Sequence, residues 1–583
     1  MGSTQATDLI RRMGDRQRTV LTPVMATLLG TDYECAAMHM FCFQCQETSE
    51  GRGCTFGGHC GKSEEAANFQ DLLIYGLKGL GLLSERLIAE GEVIGESTGA
   101  LVFEALFTTV TNTNFDPDRI VEVVDRVLEA KRDLLARLVR LGKAEGLNDI
   151  ASWDAPRDKY NSKAYGVGVL QTEDPDVRGL RETITYGLKG IASYAHHAGV
   201  LGRYSNETTE FVLTTLASLT KETNFDRLFD LALATGRQNL STMAALDAAH
   251  TESFGTQTPR HIPIGVKRAP GILVTGHDLV ELRQLLEQTR GTGVDVYTNG
   301  EMIAAHYYPA LYAFEHLAGN YGNAWWKQDD EFAKFNGPIV VTSNCIIPVT
   351  DAYKDRIFTS SVAGYPGVPH LTRRLPSGEL DFAAVIELAK QCSPPEAIDE
   401  GTMPGGYSHA PLWGMLDAVL DLIKSKAVSR VVVMAGCDGR DKRREYYREV
   451  AEKLPKDTLI LTAGCAKYVF CKLDLGTIAG VPRVLDAGQC NDCYSLIHFA
   501  VQLASHLNVD INDLPISYQV CWFDQKAVAV YLTLLSLGVK QVWLGPTLPA
   551  YFSNQLVKRL KRDFNLRTIG NPEADLALMA AGA

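Results

Sequence analysis

Four thiols, Cys42, Cys45, Cys54 and Cys60, fall within the nineteen residues CFQCQETSEGRGCTFGGHC, together with Gly51, Gly53, Gly57 and Gly58. No other stretch of the chain limits its fold and chemistry so strongly. Glycine lets the backbone turn sharply about a small centre, and thiolates prefer soft metals, either zinc or iron-sulfur. Zinc ribbons usually set two C-x2-C knuckles across a longer gap, whereas C-x2-C-x8-C-x5-C is closer to the compact four-cysteine runs of iron-sulfur proteins. The chain has thirteen cysteines, an odd number, and opens without an apolar export segment, so reduced ligands and buried thiols are expected rather than disulfides. The end of the stretch, GGHCGKS, imitates a phosphate-binding loop. Phe56 stands where that loop needs its first glycine, and no apolar strand precedes it.

A chain of 583 residues exceeds one hydrophobic core and predicts roughly three or four domains. Its net charge of -12 comes without any basic run that could neutralise a phosphate backbone, so nucleic acid is not an expected partner. No apolar run reaches the length of a membrane span, and a cytoplasmic location is expected. Residues 1–39 are expected to be a disordered extension. Their arginines, Arg11, Arg12, Arg16 and Arg18, alternate with Asp8, Asp15, Asp32 and Glu34, unlike a transit peptide, and Ala6 lacks the hydroxyl of a myristoylation signal.

After the cysteine loop the chain reads as helix for about two hundred residues. It also repeats: YGLKG occurs at 75–79 and 186–190, and TNFD at 113–116 and 223–226. Offsets that agree to within one residue predict two similar helical units. His196 and His197, in the second unit, are read as ordinary helix residues. From about residue 260 short apolar runs alternate with helical segments, as in an α/β sheet with crossover helices.

The ends of those runs carry the chemistry. GILVTGH delivers His277, GVDVYTNGE delivers Glu301 and GPIVVTSNC delivers Cys345; RVVVMAGC, DTLILTAGC and PRVLDAGQC deliver Cys437, Cys465 and Cys490, and ISYQVCWFD delivers Asp524. Open α/β sheets bind ligands beyond the carboxyl ends of their strands, so seven distant side chains can converge there. Four thiolates, one imidazole and two carboxylates exceed a zinc site and point to a multinuclear iron centre with sulfide and oxygen bridges. Cys35, Cys392, Cys471, Cys493 and Cys521 lack this setting and are expected to be small buried hydrophobes.

The segments MFCFQCQETSEGRGCTFGGHCGK, GTGVDVYTNGEM, GNYGNAWWKQ, VVVMAGCDGR, LTAGCAKY and DAGQCNDCYSL together resemble the hybrid-cluster protein family, also called prismane proteins or hydroxylamine reductases, from Met40 to the C-terminus. The resemblance implies a multidomain α and α/β architecture: a helical domain of two three-helix bundles (40–258) followed by two Rossmann-like domains (259–405 and 406–583). It implies a [4Fe-4S] cluster on Cys42, Cys45, Cys54 and Cys60. It further implies a hybrid [4Fe-2O-2S] cluster on His277, Glu301, Cys345, Cys437, Cys465 and Cys490, with Cys437 at the persulfide-bearing position and Lys526 beside the cluster. Asp524 stands where the family carries glutamate, in WFDQK, and is expected to ligate directly or through water. The implied activity is two-electron, two-proton reduction of hydroxylamine to ammonia and water, with Glu301 and Lys526 in catalytic roles. Nitric oxide reduction, nitrosothiol formation in nitrosative stress, and a carbon monoxide dehydrogenase-like activity are the alternatives. The chain has no G-x-G-x-x-G fingerprint, so electrons are expected from a separate reductase.

Overall fold

Six long helices, with only short helical turns between the third and fourth, follow the cysteine loop: α1 (Glu64–Ala89), α2 (Glu96–Thr108), α3 (Pro117–Arg140), α4 (Pro175–Val200), α5 (Asn206–Ser218) and α6 (Phe225–Phe254). They belong to a computed structural model that describes residues 39–581. The extension expected at 1–39 therefore lies, apart from His39, outside the described residues, and so does Cys35. The helices form a long-short-long triplet twice. The sequence repeat marks equivalent places in each triplet, with YGLKG inside the first helix and TNFD at the start of the third. Capping explains the boundaries, since Asp116 accepts from Asp118 N ahead of Pro117 and Asn224 accepts from the amide of Arg227.

The triplets are interleaved. Short helix α2 packs on α4 of the other unit, while α5 packs on α1, so each packed group of three draws two helices from one copy and one from the other. A further helix, Gln525–Ser536, lies against α4 and α6. Gly190 of the second YGLKG sits at that crossing, where an added Cβ would fall 2.5 Å from Ala529 Cβ and 3.0 Å from the Gln525 carbonyl. Glycine is thus required by a close helix approach.

Strands β1 (Arg260–Pro263) and β7 (Thr402–Gly405) form an antiparallel ribbon. Between them lies a parallel sheet of β2 (Gly271–Thr275), β3 (Asp295–Thr298), β4 (Leu317–Asn320), β5 (Ile339–Val341) and β6 (Ile357–Thr359), in the order β4-β3-β2-β5-β6. A second parallel sheet contains β8 (Arg430–Gly436), β9 (Thr458–Thr462), β12 (Val484–Asp486), β13 (Ile516–Cys521), β14 (Val542–Gly545) and β15 (Arg567–Thr568). Its order is β12-β9-β8-β13-β14-β15, and a small hairpin of β10 (Thr477–Ile478) and β11 (Val481–Pro482) lies beside it. β2, β3 and β9 are buried along their whole lengths, as parallel strands covered on both faces must be.

Both orders reverse direction once, between β2 and β5 in the first sheet and between β8 and β13 in the second. Such reversals open a crevice beyond the carboxyl ends of the strands. Among the described residues no helix is long and apolar enough to cross a membrane.

Candidate metal centre

In the cysteine loop, Cys42 and Cys54 pair as a short antiparallel bridge, with Cys42 N donating to Cys54 O at 3.0 Å and the reciprocal bond at 2.8 Å. Cys45, Cys54 and Cys60 are buried, Cys42 is half-buried, and all four are free thiols. Ser49 N donates to Cys54 Sγ at 3.4 Å. Burial raises the Cys45 thiol well above its ordinary value, and Cys60, Cys42 and Cys54 push it the same way. Four thiols are thus gathered where they would repel one another as anions, a cost that a bound cationic centre removes. The loop is anchored to the second sheet: Gln46 N donates to Phe523 O at 3.0 Å, Gln525 Nε2 to Gln44 O at 2.6 Å and Arg444 to Gln46 Oε1 at 2.9 Å. Cys45 accordingly packs in one apolar cluster with Cys465 and Phe523.

All seven sequence-predicted side chains follow strand ends. His277 and Cys345 follow β2 and β5, the pair at the first switch point; Cys437 and Asp524 follow β8 and β13, the pair at the second. Glu301, Cys465 and Cys490 follow the neighbouring strands β3, β9 and β12. Glycine permits the sharp exits. Gly436 has φ +119° and Gly464 φ +76°, and a Cβ on Gly464 would lie 2.4 Å from the Gly436 carbonyl oxygen. The two sheets are tied here by the tryptophans of GNYGNAWWKQ, as Trp325 Nε1 donates to Asp438 O at 3.1 Å and Trp326 Nε1 to Asp438 Oδ2 at 2.8 Å.

His277, Glu301 and Cys490 converge most tightly, each offering a ligand atom within 4.8 Å of the others. His277 Nε2 lies 3.0 Å from Glu301 Oε2, which also accepts from Cys490 N at 2.6 Å. Ser343 Oγ lies 3.1 Å from His277 Nδ1 and fixes the ring. Lys526 Nζ lies 2.9 Å from His277 Nε2 and donates to Asn344 Oδ1 at 3.0 Å. Burial by itself would raise the Glu301 carboxyl, but His277, Lys526 and the Cys490 amide hold it well below the usual carboxylate range. Burial would lower Lys526, yet Cys490, Asp524 and Glu301 keep its ammonium well above the ordinary value.

The other cysteines approach from the sides. Cys437 Sγ is 3.7 Å from Asp524 Oδ1 and Cys345 Sγ is 3.6 Å from Asn344 Nδ2. Cys465 is buried; burial raises its thiol, and Glu301, Cys345 and Cys437 add to the rise. Soft sulfur, imidazole and carboxylate gathered at buried strand ends suit an iron-sulfur centre, and the pattern fits no single zinc ion.

Several residues at the site were not singled out in the sequence. Ser343 and Asn344 lie in the same loop as Cys345. The His197 ring stacks on His277 with centroids 6.4 Å apart, in contrast to its reading as an ordinary helix residue. Tyr194, three positions earlier on the same face of α4, is buried; burial raises its hydroxyl, with Cys490 as the next contributor. Tyr194 Oη and His197 Nε2 have no hydrogen-bond partner among the described residues. Periodicity alone could place the two together on α4, but not opposite a strand tip 80 residues away. Cys471, Cys493 and Cys521 are buried as expected of small hydrophobes, and Cys392 is half-buried.

The profile of the Prismane/CO dehydrogenase family matches residues 40–577. A hydroxylamine reductase from Nitratidesulfovibrio vulgaris is 49% identical over 554 residues, covering 93% of this chain and 100% of that protein. One from Bacteroides thetaiotaomicron is 49% identical, covering 92% and 99%. Among solved structures, carbon monoxide dehydrogenase IV from Carboxydothermus hydrogenoformans superposes with a TM-score of 0.54 at 14% identity, covering 97% of this chain and 95% of that one. The carbon monoxide dehydrogenase from Thermococcus sp. AM4 gives 0.51 at 17% identity, covering 96% and 92%.

Proposed function

The chain belongs to the Prismane/CO dehydrogenase family, and from that premise we propose that it is a hydroxylamine reductase, NH2OH + 2e⁻ + 2H⁺ giving NH3 + H2O. The observation that carries this reading is near-complete coverage at about half identity by proteins named for that activity. The likeness to carbon monoxide dehydrogenases, at 14–17% identity, is a likeness of fold.

In this reading Cys42, Cys45, Cys54 and Cys60 hold a [4Fe-4S] cluster, and His277, Glu301, Cys345, Cys437, Cys465 and Cys490 hold the hybrid [4Fe-2O-2S] cluster. When bound, the hybrid cluster supplies the electrons and the Lewis acidity that N–O cleavage needs. The chain supplies position and protons. Lys526, whose ammonium form Cys490, Asp524 and Glu301 favour, could hand a proton to the departing oxygen. Glu301, the carboxylate of that donor set, also accepts from the Cys490 backbone amide at 2.6 Å and so ties the β3 tip to the β12 tip. His277, its Nδ1 held by Ser343, presents Nε2 toward the centre. The Cys45 side of the loop, packed against Phe523 and Cys465, is the route by which electrons from a separate reductase would pass inward.

The test is anaerobic turnover of the reduced holoprotein with hydroxylamine and, separately, with nitric oxide. One ammonia per two electrons with hydroxylamine, at a rate above that with nitric oxide, supports the reading. Reoxidation by nitric oxide alone, without ammonia from hydroxylamine, contradicts it.

A further inference from the structure

We infer that Asp524 is a positioning residue, not an iron ligand: its carboxylate caps a helix and orients Asn344, and through Asn344 it sets Lys526. The inference rests on the reading above that the strand tips hold the hybrid cluster, and it concerns which residues take part.

Three independent elements claim the Asp524 carboxylate. Asp524 is the N-cap of helix Gln525–Ser536, with extended backbone (φ -112°, ψ -176°), and its Oδ1 accepts from Lys526 N at 3.0 Å and from Ala527 N at 3.4 Å. Oδ2 accepts from Asn344 Nδ2 at 3.1 Å, and Cys437 Sγ approaches Oδ1 at 3.7 Å. A carboxylate offers about four acceptor positions. Here two, both at Oδ1, go to backbone amides at the positive end of a helix, and a third, at Oδ2, goes to a side-chain amide. Glu301, by contrast, lies in the tight trio with His277 and Cys490.

Residue length makes the difference intelligible. Aspartate is among the strongest N-cap residues because its short side chain folds back onto the second and third helical amides. One more methylene would carry the carboxyl past them. The cap matters because the second residue of the helix is Lys526, whose backbone amide Asp524 holds and whose Nζ meets Asn344 Oδ1 at 3.0 Å. Asn344 thus turns its two amide ends to two neighbours, the Nδ2 to Asp524 and the Oδ1 to Lys526, and the ammonium is set 2.9 Å from His277 Nε2. Asp524 fixes Lys526 from both its backbone and its tip. The protein donor set for the hybrid cluster is then six residues.

Asp524→Asn and Asp524→Ser test this, since both cap well and neither supplies a carboxylate. In holoprotein purified anaerobically, both are expected to keep wild-type iron per chain and an unchanged hybrid-cluster electron paramagnetic resonance spectrum. Asp524→Ala is expected to lose amide-exchange protection at the start of helix Gln525–Ser536 and to lower kcat about ten-fold with little change in KM, by loosening a positioned group. Asp524→Asn should restore most of that loss. Loss of hybrid-cluster iron, or shifted resonances, in the Asn and Ser variants overturns the inference, as does failure of both to fold. A wild-type protein with no hybrid-cluster spectrum would instead overturn the functional reading on which it rests.

Discussion

Lys467 and Asp486 have no solvent exposure, yet both carry charge-bearing groups and sit between the tips that deliver Cys465 and Cys490. Lys467 Nζ donates to Asp486 Oδ2 at 2.8 Å and to Gly488 O at 2.7 Å, and Tyr307 Oη donates to Asp486 Oδ2 at 2.8 Å. The network braces two ligand loops against each other. Removing one partner leaves the other charge buried without compensation, so Lys467→Met is expected to cost about 3–5 kcal/mol in equilibrium unfolding. The double change Lys467→Met with Asp486→Leu should recover part of that loss. At this scale the sequence was most informative where a candidate ligand closely follows an apolar run, as His277, Cys437 and Cys465 do. It was silent on Tyr194 and Asn344 and read His197 as an ordinary helix residue, because their surroundings depend on what faces them across the fold.

Among the elements, the crossing of α4 with helix Gln525–Ser536 governs the site most directly, because it fixes the depth at which Lys526 enters. Gly190→Ala would drive a methyl into Ala529 and the Gln525 carbonyl. Overpacking of this kind costs about 1–3 kcal/mol, and here the displaced element carries the ammonium. The expected result is a lower denaturant midpoint together with reduced hydroxylamine turnover. Gly142→Ala, in an open turn with nothing within 4 Å, should by contrast affect stability only through its positive φ and leave turnover intact. The repeat, the helical run and every strand that ends at a candidate ligand were readable from periodicity and glycine placement. The interleaving of α2 and α5 was not, because hydrophobic spacing tells which face of a helix is buried and not which helix covers it.

Over the whole molecule, buried imidazoles and buried carboxyls pull the response to acid in opposite directions. Burial pushes His250 and His306 down to about 3 from the ordinary 6.5. Both are neutral in the folded protein, while the unfolded chain takes up protons below pH 6.5, so their stabilisation is complete above that pH and is lost as pH falls toward 3. Asp71 works the other way: burial, then Glu182, pushes its carboxyl up to about 7 from 3.8, which adds stability as pH falls through that interval. His250→Phe removes one of these imidazoles, so between pH 7 and pH 5 its denaturant midpoint is expected to shift in the stabilising direction relative to that of the wild-type protein.

The central claim is that seven strand tips from two sheets meet around one multinuclear iron centre, distinct from the cluster in the N-terminal loop. Mössbauer spectroscopy of anaerobically purified, isotopically enriched protein tests it most directly. Two separate sets of iron sites, about four irons each, are predicted, with the second set lost in Cys490→Ser and the first retained. A single cubane spectrum, unchanged by Cys490→Ser, would contradict it.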